Sequence, residues 1–169
     1  STLDVNGKKV TIEQTTEYPW NGDIAIKVAA SKAGQWAMKV RIPGWVRNQV
    51  VPSDLYEYSD NLRPQYSIEV NGVKVEGKLT ADGYFTIDRK WKKGDVVRVH
   101  FDMEVRTVRA NNKVVADRGQ ISIERGPIVY AAEWPDNNFN IMNVLMNRQP
   151  VFTPGSMPYD AFIADSLKH

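Results

Sequence analysis

No cysteine occurs anywhere in the 169 residues, and histidine occurs twice, at His100 and His169. The first absence excludes thiolate nucleophiles, disulfides and thiolate metal centres. The second leaves a Ser-His-Asp arrangement one internal imidazole, and a histidine zinc site lacks ligands. No apolar run approaches the ~20 residues that a membrane-spanning helix requires, and residues 1–10 hold no apolar block of a secretory signal. Charge of one sign is also lacking: 22 basic and 20 acidic residues are interspersed and leave a net +2. The one basic cluster, Lys90-Trp91-Lys92-Lys93, runs into Gly94-Asp95 and reads as a hairpin turn, whereas nucleic-acid binding needs a sustained basic face. Neither nucleic acid nor membrane is expected as a partner, no cofactor or metal is expected, and only carboxylates, Tyr, Lys and Arg remain for chemistry. The chain opens on Ser, which suggests a processed chain or a piece of a larger one.

Alternation with period 2 is abundant, and it places one face of each strand inward and one outward. Val10 and Ile12 mark a first strand; Ile24, Ile26 and Val28 a second, after the turn signal Asn21-Gly22; Trp36, Met38, Val40 and Ile42 a third, ended by Pro43-Gly44. Tyr66, Ile68 and Val70 lead through Asn71-Gly72 into Val73-Lys74-Val75, and Asn-Gly between alternating apolar residues is a strong hairpin signal because both turn positions favour positive φ. Further strands are expected at 84–89, at 96–101 and near Val105 and Val108. Within 43–64 the pattern lapses, and Leu55-Tyr56-Glu57-Tyr58 reads as a helical turn.

The run Ile121-Ser122-Ile123-Glu124-Arg125-Gly126-Pro127-Ile128-Val129-Tyr130 holds two alternating stretches broken by Arg-Gly-Pro. Gly126 opens backbone angles closed to other residues, and Pro127 fixes φ and removes a donor. The expectation is a strand that bends there and continues, as at the corner of a sandwich. About ten short strands with no convincing helical period indicate an all-β fold, an antiparallel, jelly-roll-like β-sandwich over residues 1–137. At this length one domain buries roughly 70% of its unfolded surface. Residues 138–169 change character: Ile141 to Met146 reads as one more strand or a turn of helix, and Pro150, Pro154, Gly155 and Pro158 as irregular chain that packs on or trails from the sandwich.

Five segments in order carry a family resemblance: Tyr18-Pro19-Trp20-Asn21-Gly22; Arg41-Ile42-Pro43-Gly44-Trp45; Asn71-Gly72; Gly83-Tyr84 ahead of Arg89-Lys90-Trp91-Lys92-Lys93-Gly94-Asp95; and Glu124 to Tyr130 with Asp136-Asn137 after it. Together, over residues 8–137, they resemble the region that follows the catalytic barrel in glycoside hydrolase family 127, the β-L-arabinofuranosidase group. The resemblance implies a parent enzyme with an (α/α)6 barrel, a cysteine nucleophile and a zinc held by cysteines and a glutamate. It implies that this chain is a β-sandwich partner of that barrel, in a secreted or periplasmic enzyme. None of those catalytic residues can be carried over to a chain without cysteine. Family members continue to another aromatic-rich segment, of which Pro158-Tyr159-Asp160-Ala161-Phe162 is a faint echo, so a closing strand beyond His169 is expected and its absence would expose a sheet edge.

The loop residues of these motifs are the candidate contacts. Trp20 and Trp45 each follow a proline in a loop, and they are offered, with Tyr18, for docking onto a neighbouring domain; packing within the sandwich and stacking on a glycan are the alternatives. Arg125 reaches a partner surface or pairs locally with Glu124 or Glu133. Trp36 falls in register with Met38 and Val40 as core, and Trp91 beside its turn caps the sandwich. Asp88 with Asp102, or Glu124 with Glu133, would be the carboxylate pairs for glycoside hydrolysis, but their alternation with apolar neighbours marks them as solvent-face residues. His100, between Val99 and Phe101, is expected at the surface or rim.

Overall fold

The computed structural model describes residues 1–32, 34–132, 140, 144–146, 151–154, 162–164 and 166–167. These form sixteen strands and a single turn of 3-10 helix at Val115–Asp117, with no α-helix among the described residues. The strands are β1 (Thr2–Val5), β2 (Lys8–Thr16), β3 (Asp23–Ser31), β4 (Gln35–Arg41), β5 (Tyr56–Tyr58), β6 (Tyr66–Val70), β7 (Val73–Lys74), β8 (Tyr84–Lys90), β9 (Val96–Phe101), β10 (Val105–Ala110), β11 (Ile121–Arg125) and β12 (Ile128–Tyr130). Beyond residue 140 follow β13 (Leu145–Met146), β14 (Phe152–Pro154), β15 (Phe162–Ala164) and β16 (Ser166–Leu167).

Every pairing is antiparallel. A six-stranded sheet runs in the order β1-β2-β3-β9-β6-β7, and β4 pairs with β8 in a second layer. The period-2 pattern accounts for the packing between them. Trp36, Met38 and Val40 of β4 and Phe85 and Ile87 of β8 turn inward, and they share one core with Val10, Val28, Ile68, Val70, Val97, Val99 and Phe101 of the larger sheet. Burial of such side chains contributes about 1.5–3 kcal/mol each. Trp91 closes the core as expected of a cap: it is buried, its ring lies 5.2 Å from that of Trp36, and its Nε1 donates to the Trp36 carbonyl at 2.8 Å.

Asn71-Gly72 forms the expected hairpin. Both residues hold positive φ, 53° and 78°, and Val70 pairs with Val73 across the turn. Asn71 also ties this hairpin to the next one, because its Nδ2 donates to Asp95 Oδ1 at 2.9 Å while Lys92 N donates to Asp95 Oδ2 at 2.9 Å. Those bonds, that from Asn71 first, hold the buried Asp95 carboxyl below its ordinary value. A depressed folded-state value gives stability that is present at neutral pH and fades as pH falls through it. Asp95→Asn puts an amide nitrogen against one of two donors, so it is expected to cost about 1.5 kcal/mol at pH 7. The gap in Tm between the variant and the parent chain should narrow as pH falls through and below the ordinary carboxylate range; a gap that does not narrow on acidification refutes the assignment.

Three expectations are corrected. Residues 56–58 are a strand, not a helical turn: β5 pairs with β10 through Tyr58↔Val108 and Tyr56↔Ala110. The chain does not bend and continue at Gly126-Pro127; it reverses. Arg125 pairs with Ile128, so the two residues between them form a hairpin turn, with Gly126 at φ 58°. A turn with glycine first and proline second suits the two-residue connection that asks for positive φ at its first position only. Strand β11 then completes a four-stranded sheet in the order β12-β11-β10-β5. Third, Pro154, read as irregular chain, ends β14, which pairs with β15, while Leu145–Met146 takes the strand alternative as β13 and pairs with β16; Pro150, Gly155 and Pro158 lie outside the described residues. A strand ahead of Val10, β1, also went unread. Glu133, Trp134, Asp136, Asn137 and all of residues 155–161 lie outside the described residues.

Candidate functional site

The structure brings Tyr18, Trp20, Trp45 and Arg125 together at one end of the molecule, around the close of β9. The turn after β2 is pinned by its own polar side chains. Tyr18 N donates to Thr16 Oγ1 (2.9 Å), Asn21 Nδ2 to Glu17 Oε2 (2.8 Å) and Asp23 N to Asn21 Oδ1 (3.0 Å). Such Asx and Thr bonds supply a turn with the partners that a ladder would otherwise give. Trp20 N donates to the Glu17 carbonyl at 2.8 Å, which leaves the indole at the tip, 57% exposed.

Arg125, 105 residues further along, comes to this turn from the end of β11. Its Nη1 donates to the Trp20 carbonyl at 2.9 Å. The local pairing with Glu124 does not form. Neighbours on a strand point to opposite faces, and Glu124 accepts instead from Tyr58 Oη at 3.3 Å. Burial pushes the Glu124 carboxyl up, opposed by that hydrogen bond and by Arg106. Burial, followed by the charge of Glu124, pushes the Tyr58 phenol up as well.

Trp45 has the opposite fate to Trp20. It is 9% exposed and lies edge-on to Phe101, with ring centroids 5.8 Å apart and planes at 78°. Tyr18 meets the same Phe101 ring edge-on at 6.4 Å. Such edge-to-face pairs add about 0.5–1.5 kcal/mol beyond burial. A Cβ at Gly126 would lie 3.5 Å from Trp45 Cζ2, so the hairpin turn is stacked over this indole. Trp45 is therefore packing, and its ring is not available to stack on a sugar. Its Nε1 has no hydrogen-bond partner among the described residues.

The proposed carboxylate pairs do not assemble. Asp88 lies on β8, where it accepts from Gln35 Nε2 at 3.4 Å, and Asp102 follows β9 in the other layer, where it accepts from Gln65 N at 3.1 Å. Glu124 faces Tyr58, and Glu133 lies outside the described residues. His100 is at the surface, as expected, with Nδ1 2.7 Å from Asp23 Oδ1 and Nε2 3.4 Å from Asp102 Oδ1. Among the described residues no group of three His, Asp or Glu side chains could hold a metal ion. A thiolate-bound zinc in particular does not fit a chain without cysteine.

One polar centre went unread in the sequence. Arg106 of β10, 3% exposed at its side chain, donates from Nη2 to Asp60 Oδ1 at 2.7 Å and to Asn48 Oδ1 at 2.8 Å, and its guanidinium lies 3.3 Å from the centre of the Tyr58 ring. The signal present was an arginine in a strand position that alternates inward with Val108. No carboxylate near in sequence marks its partner.

The described residues thus form an all-β, antiparallel fold in which the turns that carry Trp20, Trp45 and Arg125 meet around the close of β9. The comparisons with known proteins give it a family. Residues 1–103 match the model of the β-L-arabinofuranosidase GH127 middle domain, and residues 105–164 that of the glycoside hydrolase family 127 C-terminal domain. The chain belongs to glycoside hydrolase family 127. It is 33% identical over 141 residues to a non-reducing end β-L-arabinofuranosidase of Bifidobacterium longum subsp. longum, covering 79% of this chain and 18% of that enzyme. A solved family-127 β-arabinofuranosidase superposes with a TM-score of 0.89 at 51% identity, over 98% of this chain and 27% of the other. A β-L-arabinofuranosidase of Geobacillus stearothermophilus T6 gives a TM-score of 0.78 at 32% identity, over 94% of this chain and 22% of its own. The chain thus spans about a fifth to a quarter of the relatives it matches. The two family models part between residues 103 and 105, where the six-stranded sheet ends and the four-stranded sheet takes up β10.

Proposed function

We propose that this chain is the non-catalytic accessory sandwich of an arabinofuranosidase-type glycoside hydrolase, whose catalytic (α/α)6 barrel lies elsewhere in the polypeptide. The observation that carries the reading is the pairing of coverage with chemistry. A chain with no thiol accounts for only 18% to 27% of the length of its family-127 relatives. Its physical task is then to cover and brace the barrel, and the end that bears Trp20, with Arg125 holding the Trp20 carbonyl, is the contact. An exposed indole on a turn fixed by five hydrogen bonds is preorganised, which lowers the entropy cost of docking.

Two measurements test this. The purified 169-residue chain should release no arabinose from an aryl β-L-arabinofuranoside, and turnover that survives repurification would overturn the reading. Trp20→Ala should leave the unfolding free energy of the isolated chain within about 0.5 kcal/mol of the parent, as an exposed substitution does. In the full-length enzyme the same change should cost about 2 kcal/mol of stability, as a central interface anchor does. Equal effects in both contexts would remove Trp20 from the contact.

A further inference from the structure

The outward face of the six-stranded sheet holds a second feature. A depression of about 540 Å³ lies over β2, β3, β9 and β6, within the size range of small-ligand sites. Its shape follows from register. Thr15, Ala25, Arg98 and Glu69 sit side by side across the four strands, and Asp23, His100 and Ser67 form the row beside them. Alternation turns Val97, Val99 and Phe101 into the core, so Arg98 and His100 must point outward. Ala25 and Ser67 are the short side chains among long ones, and they make the floor.

The polar groups around that floor are left open. Glu69 and Arg98 are directly opposite in register, a pairing that ordinarily closes into a cross-strand ion pair. Here neither side chain has an ionic or hydrogen-bond partner among the described residues. A five-donor fork and a two-oxygen acceptor therefore face the same concave surface. Asp23 holds His100 through one oxygen, at 2.7 Å, and its other oxygen is open to a donor. Adjacent carboxylate and guanidinium groups on a rigid sheet suit vicinal hydroxyls, the carboxylate accepting from one and the guanidinium donating to the other. Glu17, Asp23 and Glu69 against Arg98 leave the lining net negative, which disfavours uronates and phosphates.

We propose that this sheet face, floored by Ala25 and Ser67 and flanked by Asp23, His100, Arg98 and Glu69, is a binding site for a neutral pentose or other vicinal-diol sugar. Glycan contact thereby falls on the sheet and not on the loop aromatics, one of which is buried. The vicinal-diol chemistry rests on the face alone; the choice of an arabinofuranosyl probe rests on the accessory-domain reading.

Titration of the 169-residue chain with methyl β-L-arabinofuranoside, followed by amide chemical shifts, should saturate with Kd of about 1 mM. Shifts should centre on residues 23–25, 67–69 and 98–100. Arg98→Ala and Glu69→Gln should each weaken binding about tenfold, and Ala25→Lys, which fills the half-buried floor, should abolish it. Unchanged amide dispersion in all three variants shows that the fold is kept. Galacturonate should bind at least tenfold more weakly. No saturation by about 50 mM, binding indifferent to these variants, or binding lost only with Trp20→Ala would each overturn the proposal. None of these results bears on arabinose release by the chain, so the two readings fail separately.

Discussion

Gly22→Ala is expected to be among the most damaging single substitutions in this chain. The residue is buried beside the end of β9, where Phe101 N donates to its carbonyl at 3.1 Å. A Cβ built on Gly22 overlaps the Phe101 carbonyl oxygen and lies 2.9 Å from the carbonyl carbon. The obstacle is backbone held in a sheet, not the end of a side chain, so nothing can swing aside. Either β9 shifts or the turn that carries Tyr18 and Trp20 lifts away, and both break ladder bonds. A cost of about 3–4 kcal/mol is expected, in the range of severe steric substitutions. For a chain of this size that lowers Tm by about 10 °C.

Gly126→Ala makes the internal comparison. There φ is 58° and a new Cβ overlaps Met103 Cε, the far end of a flexible side chain. The residue pays the left-handed penalty of about 1–2 kcal/mol and little more. Thermal unfolding of both variants checks the order. A Gly22→Ala chain as stable as Gly126→Ala would mean that the turn and β9 do not approach as described. On the proposed docking role of Trp20, Gly22→Ala in the full-length enzyme should also lose that contact, because it displaces the turn that carries the indole.

How much of this was legible follows from the range of each interaction. β4 announced itself, because Trp36, Met38 and Val40 are buried in strict alternation with exposed Gln35, Ala37, Lys39 and Arg41. The Asn71-Gly72 hairpin did so too, since its φ requirement is local. β5 did not: three residues are too few to show a period, and Tyr58 is a strand residue only because Val108 pairs with it. The Gly126-Pro127 reversal was misread for a related reason. Alternation continues on both sides whether the chain bends onward or doubles back, and only the pairing of Arg125 with Ile128 distinguishes the two. Trp20 and Trp45 look alike as loop tryptophans after proline. What separates them is Phe101, which packs on Trp45 from β9. The motif order did gather Tyr18, Trp20, Trp45 and Arg125 as one set, and the fold places them as neighbours. The open Glu69–Arg98 pair was beyond reach, because register is invisible in a single sequence.

Asp60→Asn is the other change expected to act strongly, because Arg106 cannot leave the interior. Its guanidinium cannot be deprotonated in practice, and at 3% exposure water cannot replace a missing partner. Asp60 supplies the only carboxylate that touches it among the described residues, through Nε at 3.1 Å and Nη2 at 2.7 Å. The remaining contacts, Asn48 Oδ1 at 2.8 Å, the Leu62 carbonyl at 3.4 Å and the Tyr58 ring, carry no net charge. Removing the carboxylate leaves the buried cation without a charged contact, Glu124 lying opposite it in register and feeling its charge without touching it, and that costs about 3 kcal/mol. The loss should be structural as well as energetic, since the bonds of Arg106 to Asp60 and Asn48 flank the β5–β10 pairing and fix the rest of the 43–65 segment to β10. Chemical denaturation should report a lower midpoint, and amides of residues 48–62 should exchange first. The pair is not expected to be worth that much in itself. Desolvating two charges offsets most of their attraction, so Arg106→Met combined with Asp60→Leu should recover at least half of the loss. A double variant no better than Asp60→Asn would instead show that the hydrogen bond to Asn48, and not relief of a stranded charge, holds the segment against the sheet.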